Sequence, residues 1–140
     1  MRVWKNEEGF HFATDEDRCG LRASARRIGG DLLVAIWGGE KPHIGAVALA
    51  LPRPSLKDSG STSATASVIC VVGHKEDDLV KEASESLAAA LNTRVVAAAG
   101  IHWDKLDEKG IRAVKQNGRA LVNRIAEEMK EATASSGESD

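Results

Sequence analysis

Residues 68–99, VICVVGHKEDDLVKEASESLAAALNTRVVAAA, contain the pattern that decides the fold. The apolar run at 68–72 predicts a buried strand, and residues 93–99 predict a second strand that is rich in small side chains. Between them, apolar residues recur at three- and four-residue spacing, which predicts a helix over about 75–91 with one apolar face. A strand, a helix and a strand in this order form a βαβ unit, whose two strands run parallel in one sheet.

The chain before this unit predicts further strands. Residues 21–28 alternate apolar and polar side chains with the period of two that a half-exposed strand requires. Gly29-Gly30 predicts a hairpin turn, because glycine accepts the positive φ of tight turns. The strands predicted in this part of the chain are 9–14 (short, at an edge), 21–28, 31–37 and 44–51. Residues 52–67 are rich in proline, serine and threonine, and we expect a long surface loop there.

A second helix is predicted from about residue 107 to residue 131, again with one apolar stripe. The fold class is therefore α+β. We expect a mixed, mainly antiparallel sheet of five or six strands, with two long helices on one face and one βαβ unit. Residues 1–132 are predicted to form a single domain, and the polar residues 133–140 are typical of a disordered tail.

Three of the four histidines follow or precede predicted strands, beside glycine or proline. His74 and His102 come directly after the two parallel strands of the βαβ unit, at the edge where open α/β sheets bind ligands. If strand 44–51 pairs antiparallel with strand 68–72, His43 reaches the same edge. The fourth histidine, His11, has no such setting. We therefore expect a polar site where His43, His74 and His102 meet.

Two ligand types suit such a site. Imidazoles with nearby carboxylates bind divalent transition metals, and the candidate ligands are His43, His74, His102, Glu76 and Asp104. The free N–H groups at the start of helix 75–91, together with Lys75, favour a phosphate, and the hydroxyl-rich loop could add donors to it. Each histidine alone is equally compatible with an exposed or capping role. Trp103 fits either packing or a flat wall for a ring-shaped ligand.

Composition narrows the class of protein. A net charge of −2 gives no reason to expect binding to nucleic acid or an anionic membrane, and the N-terminus lacks the apolar core of a signal peptide. Two cysteines in such a chain are expected to stay reduced, so the sequence predicts a cytoplasmic protein. Specific nucleophile, phosphate-loop and zinc-protease motifs are missing from the sequence.

Several segments together resemble a known small family. They are Gly30-Asp31-Leu32-Leu33-Val34, Gly38 to Ala48 (GGEKPHIGAVA), Pro52-Arg53-Pro54-Ser55, Ser63 to Ile69 (SATASVI), Gly73-His74-Lys75-Glu76-Asp77 and Ala99-Gly100-Ile101-His102-Trp103-Asp104. The family is that of the LpdD-like prenylated-flavin chaperones, the small D subunit of gallate decarboxylase. The resemblance covers roughly residues 20–125.

This resemblance implies an accessory, non-catalytic role. Proteins of this family are associated with holding prenylated FMN and helping it reach its active form in a UbiD-type aromatic acid decarboxylase, after a flavin prenyltransferase has made it. The resemblance leads us to expect prenylated FMN or FMN at the predicted site, with a divalent metal as a further ligand. The candidate cofactor-binding residues are His43, Ser55, Ser67, Gly73, His74, Lys75, His102 and Trp103.

Two further expectations complete the sequence analysis. The rival function is a metal-dependent hydrolase or lyase that uses His43, His74 and His102 around an open metal position. We also expect a homo-oligomer, because the strands of the first half carry apolar residues on both faces and two helices cannot cover them all.

Overall fold

A computed structural model of the protein describes residues 1–15, 18–58, 60–71 and 76–136. Within these ranges, seven strands form one sheet and two helices follow the sixth and seventh strands. The strands are β1 (Arg2–Asn6), β2 (Gly9–Ala13), β3 (Leu21–Ile28), β4 (Asp31–Gly39), β5 (Ala46–Pro54), β6 (Thr62–Cys70) and β7 (Val95–His102). The helices are α1 (Asp77–Leu91) and α2 (Glu108–Ser136).

The strand order in the sheet is β1-β2-β3-β4-β7-β5-β6. β4 and β7 run parallel, and the other neighbouring strands run antiparallel, so the mixed, mainly antiparallel sheet that the sequence predicts is confirmed. β6 and β7 are both antiparallel to β5, which lies between them. The two strands of the βαβ unit are therefore parallel, as predicted, but another strand separates them.

The sheet has seven strands and not the five or six that were predicted, because β1 adds a strand at one edge. This strand pairs with β2, so that the segment predicted at the edge of the sheet is inside it. β1 is five residues long and mostly exposed. It therefore lacks the long apolar alternation by which a strand is found in a sequence.

The predicted loop over residues 52–67 was also wrong. β5 continues to Pro54 and β6 begins at Thr62, and these two residues are paired. β5 pairs with β7 only as far as Ala50, so Pro52 and Pro54 lie where the strand has no partner on that side. A proline in a strand is tolerated at such a position because no ladder hydrogen bond depends on its missing N–H.

β6 differs from its prediction in one more respect, because an apolar run at 68–72 was expected to be buried. β6 lies at the edge of the sheet, and Ile69 within it is 78% exposed. Val72 lies outside the described residues. An apolar run alone therefore did not distinguish a central strand from an apolar edge.

The two helices pack on the sheet beside each other. α1 contacts β5, β6 and β7, whereas α2 contacts β2 and β3. Alternate strand residues, such as Ala46, Ala48 and Ala50, are buried with the apolar stripes of the helices in one core. These small side chains let the helices approach the sheet closely. Gly118 plays the same part between the helices, since a Cβ there would lie 3.3 Å from Leu79 Cδ1.

The opposite side of the sheet, which we term the open face, carries exposed apolar side chains. They are Leu33, Val47, Leu49, Leu51 and Ile69, with 36% to 78% of each residue exposed. Their cross-strand register places them on one side, opposite to the buried alanines of β5.

Helix α2 continues to Ser136, so the domain boundary predicted at residue 132 falls inside this helix. Residues 137–140 lie outside the described part of the chain. Both cysteines are thiols, Cys19 buried and Cys70 exposed. Neither described helix is long and apolar enough to cross a membrane.

Candidate functional site

Two of the predicted histidines come together where β4 and β7 end. His43 lies between β4 and β5, and His102 is the last residue of β7. The centroids of their rings are 6.4 Å apart. Glu76, just before α1, and Asp104, just after β7, each contact one of these rings. We term these four residues the histidine rim.

A buried carboxylate holds the first histidine. Glu76 Oε1 lies 3.2 Å from Nε2 of His43 and accepts a hydrogen bond from the backbone N–H of Ile101 at 3.1 Å. The other ring nitrogen of His43, Nδ1, lies 3.0 Å from the carbonyl oxygen of Lys41. Gly45 is required beside this pair, because a Cβ at that position would overlap the Glu76 carboxylate. The His43 ring is thus fixed from two sides.

The second histidine contacts a more exposed carboxylate. His102 Nε2 lies 3.0 Å from Asp104 Oδ1, and Lys41 Nζ lies 3.5 Å from the same oxygen. The hydrogen bond from His102, and after it the positive charge of Lys41, hold the pKa of Asp104 below its ordinary value of 3.8. The carboxylate therefore stays ionised and keeps His102 oriented across the physiological pH range.

Glu40 is a residue of this region that the sequence analysis missed. Its backbone N–H donates to the carbonyl oxygen of His102 at 2.8 Å, and its Oε1 accepts from the N–H of Asp104 at 3.0 Å. Glu40 thereby holds the backbone on both sides of Trp103. Gly39 allows this approach, since its φ is +91° and a Cβ there would overlap the backbone of His102.

The larger cavity lies between the two helices and reaches the histidine rim. It has a volume of about 1060 Å³, and we term it the helix groove. Its apolar lining includes Leu79, Ile101, Leu106, Ile111, Val114 and Val122. Lys81, Lys115 and Arg119 supply positive charge, Asp78, Glu82 and Glu85 supply negative charge, and Glu76 and His102 lie at the rim end. Lys81 is paired with Glu85 and Arg119 with Glu82. The groove therefore combines an apolar floor, charged side chains of both signs and an imidazole.

A smaller cavity is bordered by Trp103, the residue after His102. Its volume is about 370 Å³, and we term it the tryptophan cleft. Five large or charged side chains line this cleft: the indoles of Trp37 and Trp103, the guanidinium groups of Arg18 and Arg22, and the carboxylate of Glu40. Gly20, Gly38, Gly39 and Pro42 complete the lining. Trp103, predicted as packing residue or ring platform, also packs against the hydrophobic core.

The structure does not bring the two predicted serines to the rim. Ser55 lies in the β5–β6 turn, where its Oγ accepts from the N–H groups of Lys57 and Asp58. It follows β5 at the end opposite to His43, roughly 30 Å away for a nine-residue strand. Ser67 lies within β6, paired with Leu49 on the open face.

Three predicted residues, Gly73, His74 and Lys75, lie outside the described residues. His11 is separate from the rim, as expected, because it stacks on Trp4 and contacts Asn6. Among the described residues, no group of three or more His, Cys, Asp and Glu side chains could hold a metal ion. The predicted metal set includes His74, so that prediction depends on a residue beyond the described ranges.

The fold and these cavities define a small α+β domain with a ligand-sized groove beside a pair of histidines. The chain belongs to the family of prenylated flavin chaperone LpdD-like domains, which matches residues 15–130. The family resemblance in the sequence is thereby confirmed. The match begins after β2, includes the histidine rim, the two cavities and α1, and ends within α2. A search of curated proteins gives no match.

Proposed function

We propose that the protein binds prenylated FMN, or FMN, in the helix groove and supplies it in mature form to a UbiD-type aromatic acid decarboxylase. The observation that carries this proposal is the groove itself, which ends at His102 and Glu76 in a domain of the prenylated flavin chaperone family. In the decarboxylase, the prenylated flavin supplies the reactive ring. In this chain the residues bind and orient that cofactor.

The groove fits the cofactor in size and in chemistry. Ligand sites usually measure about 300–1,000 Å³ and are mainly apolar with a few placed polar groups. A groove of about 1060 Å³ is large enough for a flavin nucleotide. Its apolar floor suits the dimethylbenzene ring and the prenyl group. Lys115 on α2 can pair with the phosphate, together with the nitrogens of Arg119 that do not contact Glu82. Nδ1 of His102 can accept a hydrogen bond from the polar edge of the ring, since Nε2 donates to Asp104.

The described start of α1 is less suited to a phosphate than the sequence suggested. Asp77 and Asp78 occupy its first turn and Glu76 precedes it, so that three carboxylates oppose an anion there. Lys75, the cation predicted at this point, is outside the described residues. We therefore assign the phosphate to the cationic wall of α2 and keep Gly73, His74 and Lys75 as candidate contacts.

A divalent metal is a second part of the proposal. The ring centroids of His43 and His102 lie 6.4 Å apart, and a metal between them would have to displace Glu76 or the Lys41 carbonyl oxygen from a nitrogen of His43. A metal here would use His74 as a further ligand, with Asp104 fixing the orientation of His102. Flavin retention measured with and without a chelator tests this part separately from flavin binding.

Titration of FMN and prenylated FMN into two histidine variants tests the main proposal. We expect His102→Ala to weaken flavin retention tenfold or more, which corresponds to about 1.4 kcal/mol. His11→Ala is the matched control, because that ring stacks on Trp4 far from the groove. Equal retention in both variants, with unchanged thermal melting, would contradict the assignment of the groove.

Activity measurements separate this function from its rival. A chaperone should raise the activity of a co-expressed prenylated-flavin decarboxylase and turn over nothing alone. A metal-dependent hydrolase or lyase should convert an ester, phosphoester or small carboxylate when metal is added. Family membership favours the first outcome. The decarboxylase and the flavin prenyltransferase are the partners that this role implies.

Self-association is the remaining part of the proposal. The exposed apolar side chains of β5 and β6 lie together on the open face, with Arg53 at one end, and exposed apolar areas usually contact a partner. β6 itself contains no charged residue and no proline, in contrast to β1 at the other edge, which carries Arg2 and Lys5. Edge strands without such protection favour pairing with another chain. We assign the open face and the adjoining β6 edge to a second copy of this protein.

A further inference from the structure

The tryptophan cleft is a second cavity that the proposed flavin site does not use. The two cavities are bordered by neighbouring residues, because His102 lines the helix groove whereas Trp103 lines the cleft. Glu40 holds the peptide between these residues from both ends through the hydrogen bonds to His102 and Asp104. The cleft wall is therefore preorganised.

Two aromatic walls favour a planar ligand. Trp37 and Trp103 are both half-buried, so that each indole keeps part of its surface open to the cleft. Indole rings gain most from stacked or edge-on contact with another planar ring. Gly20, Gly38 and Gly39 complete the lining of the cleft without side chains of their own.

The charged groups of the cleft favour an anion. Arg22 is the direct cross-strand partner of Trp37, so both side chains project from the same side of the β3–β4 hairpin. Arg18 lies at the same cavity and uses one nitrogen, Nη2, in a long contact of 3.5 Å to the carbonyl oxygen of Lys105. The planar forks of arginine match carboxylate and phosphate oxygens in pairs.

The single carboxylate of the cleft does not cancel this preference. Glu40 Oε1 accepts the N–H of Asp104, so part of its charge is directed at the backbone. Two guanidinium groups against one carboxylate leave a net charge of +1 on the side chains that line the cleft.

The volume limits the ligand to a small one. At about 370 Å³, the cleft lies near the lower end of the range of about 300–1,000 Å³ that is usual for ligand sites. We infer that the tryptophan cleft binds a small planar aromatic anion, with its ring against Trp37 and Trp103 and its anionic group on Arg22 and Arg18. A free aromatic carboxylate matches this size, whereas a whole flavin nucleotide matches the helix groove.

Calorimetric titration of the full chain with benzoate tests the inference. We expect Arg22→Gln and Trp37→Leu each to weaken benzoate binding tenfold or more. Arg26→Gln is the matched control, because Arg26 lies on the same strand and side but is paired with Leu33 outside the cleft. Titration of riboflavin and FMN into the same proteins distinguishes a carboxylate site from the phosphate end of a flavin site.

Three outcomes would overturn the inference. They are an absence of benzoate binding at millimolar concentration, equal benzoate affinity in Arg22→Gln and Arg26→Gln, and a loss of FMN rather than benzoate binding in Arg22→Gln. Benzoate binding that survives in His102→Ala, while FMN binding is lost, would support two separate sites. The inference does not depend on the proposed flavin function, since benzoate binding can be present in a chain that binds no flavin.

Discussion

Nε2 of His102 lies 3.0 Å from Oδ1 of Asp104, two residues further along the chain. An ionised carboxylate can only accept hydrogen bonds, so the imidazole is the donor. This contact, together with Lys41, lowers the pKa of Asp104. A carboxyl group with a lowered folded-state pKa contributes stability that is present above its ordinary value of 3.8 and is lost as the pH falls through the folded pKa.

The first prediction follows from this pair. In an NMR titration, the Asp104 carboxyl should titrate below 3.8 in the wild-type protein and move towards that ordinary value in His102→Ala. The His11→Ala variant should leave the Asp104 titration unchanged. An Asp104 midpoint that is the same in the wild type and in His102→Ala would show that the contact is not formed in solution.

The second prediction concerns Glu40. Replacing it by Ala removes the acceptor of the Asp104 N–H, and we expect a loss of stability of about 1 kcal/mol or less because the carboxylate is exposed. The fluorescence of Trp103 should shift to longer wavelength, measured in a Trp4→Phe background to reduce other signals. Glu40→Gln keeps an oxygen acceptor and should preserve both properties. A spectrum of Glu40→Ala identical to that of Glu40→Gln would argue against the role of this carboxylate.

The third prediction compares two glycines. A Cβ at Gly100 would overlap the carbonyl oxygen of His43, which is backbone and cannot rotate away. We expect Gly100→Ala to cost about 1–3 kcal/mol, as overpacking usually does, and to displace His43. Gly30→Ala is the control, since no described atom lies within 4 Å of its Cβ position. If chemical denaturation gave the same stability for both variants, the close approach of Gly100 to the His43 backbone would be refuted.

The fourth prediction concerns the open face. Leu49→Lys places a charge among the exposed apolar side chains of β5 and β6, and we expect it to shift the protein towards the monomer in light-scattering measurements. Leu56→Lys is the control, because Leu56 is 90% exposed in the β5–β6 turn and lies away from this face. A wild-type protein that is monomeric at micromolar concentration would remove the basis of the proposed self-association.

The sequence predicted the fold best where local signals and tertiary structure agree. Strand 21–28 has the observed bounds of β3, and the Gly29-Gly30 turn joins Ile28 directly to Asp31. The first part of β6 was mispredicted as a loop. Residues 62–67 are rich in serine and threonine, which are typical of loops although they also occur in strands. Short, exposed β1 gave no signal, since its position depends on pairing with β2 rather than on its own pattern.

The site could be predicted only in part. The position of His102 follows from strand direction, which the βαβ pattern supplies. The position of His43 also depends on the antiparallel pairing of β5 with β6. The pair Arg22 and Trp37 was within reach, because the hairpin register around Gly29-Gly30 places them opposite each other. The contact of Glu40 with Asp104 joins residues 64 positions apart, and no spacing in the chain reports it.

The peptide between His102 and Trp103 borders two chambers, the helix groove through His102 and the tryptophan cleft through Trp103. Glu40 holds the backbone at both ends of this segment. A molecule that shifts this peptide from one chamber alters the wall of the other. Thermodynamic linkage then requires the effect to be mutual. If a ligand in one chamber changes the affinity of the other chamber by some factor, a ligand in the second chamber changes the affinity of the first by the same factor. If both chambers bind ligands as proposed, filling one of them would therefore change how firmly the other holds its ligand.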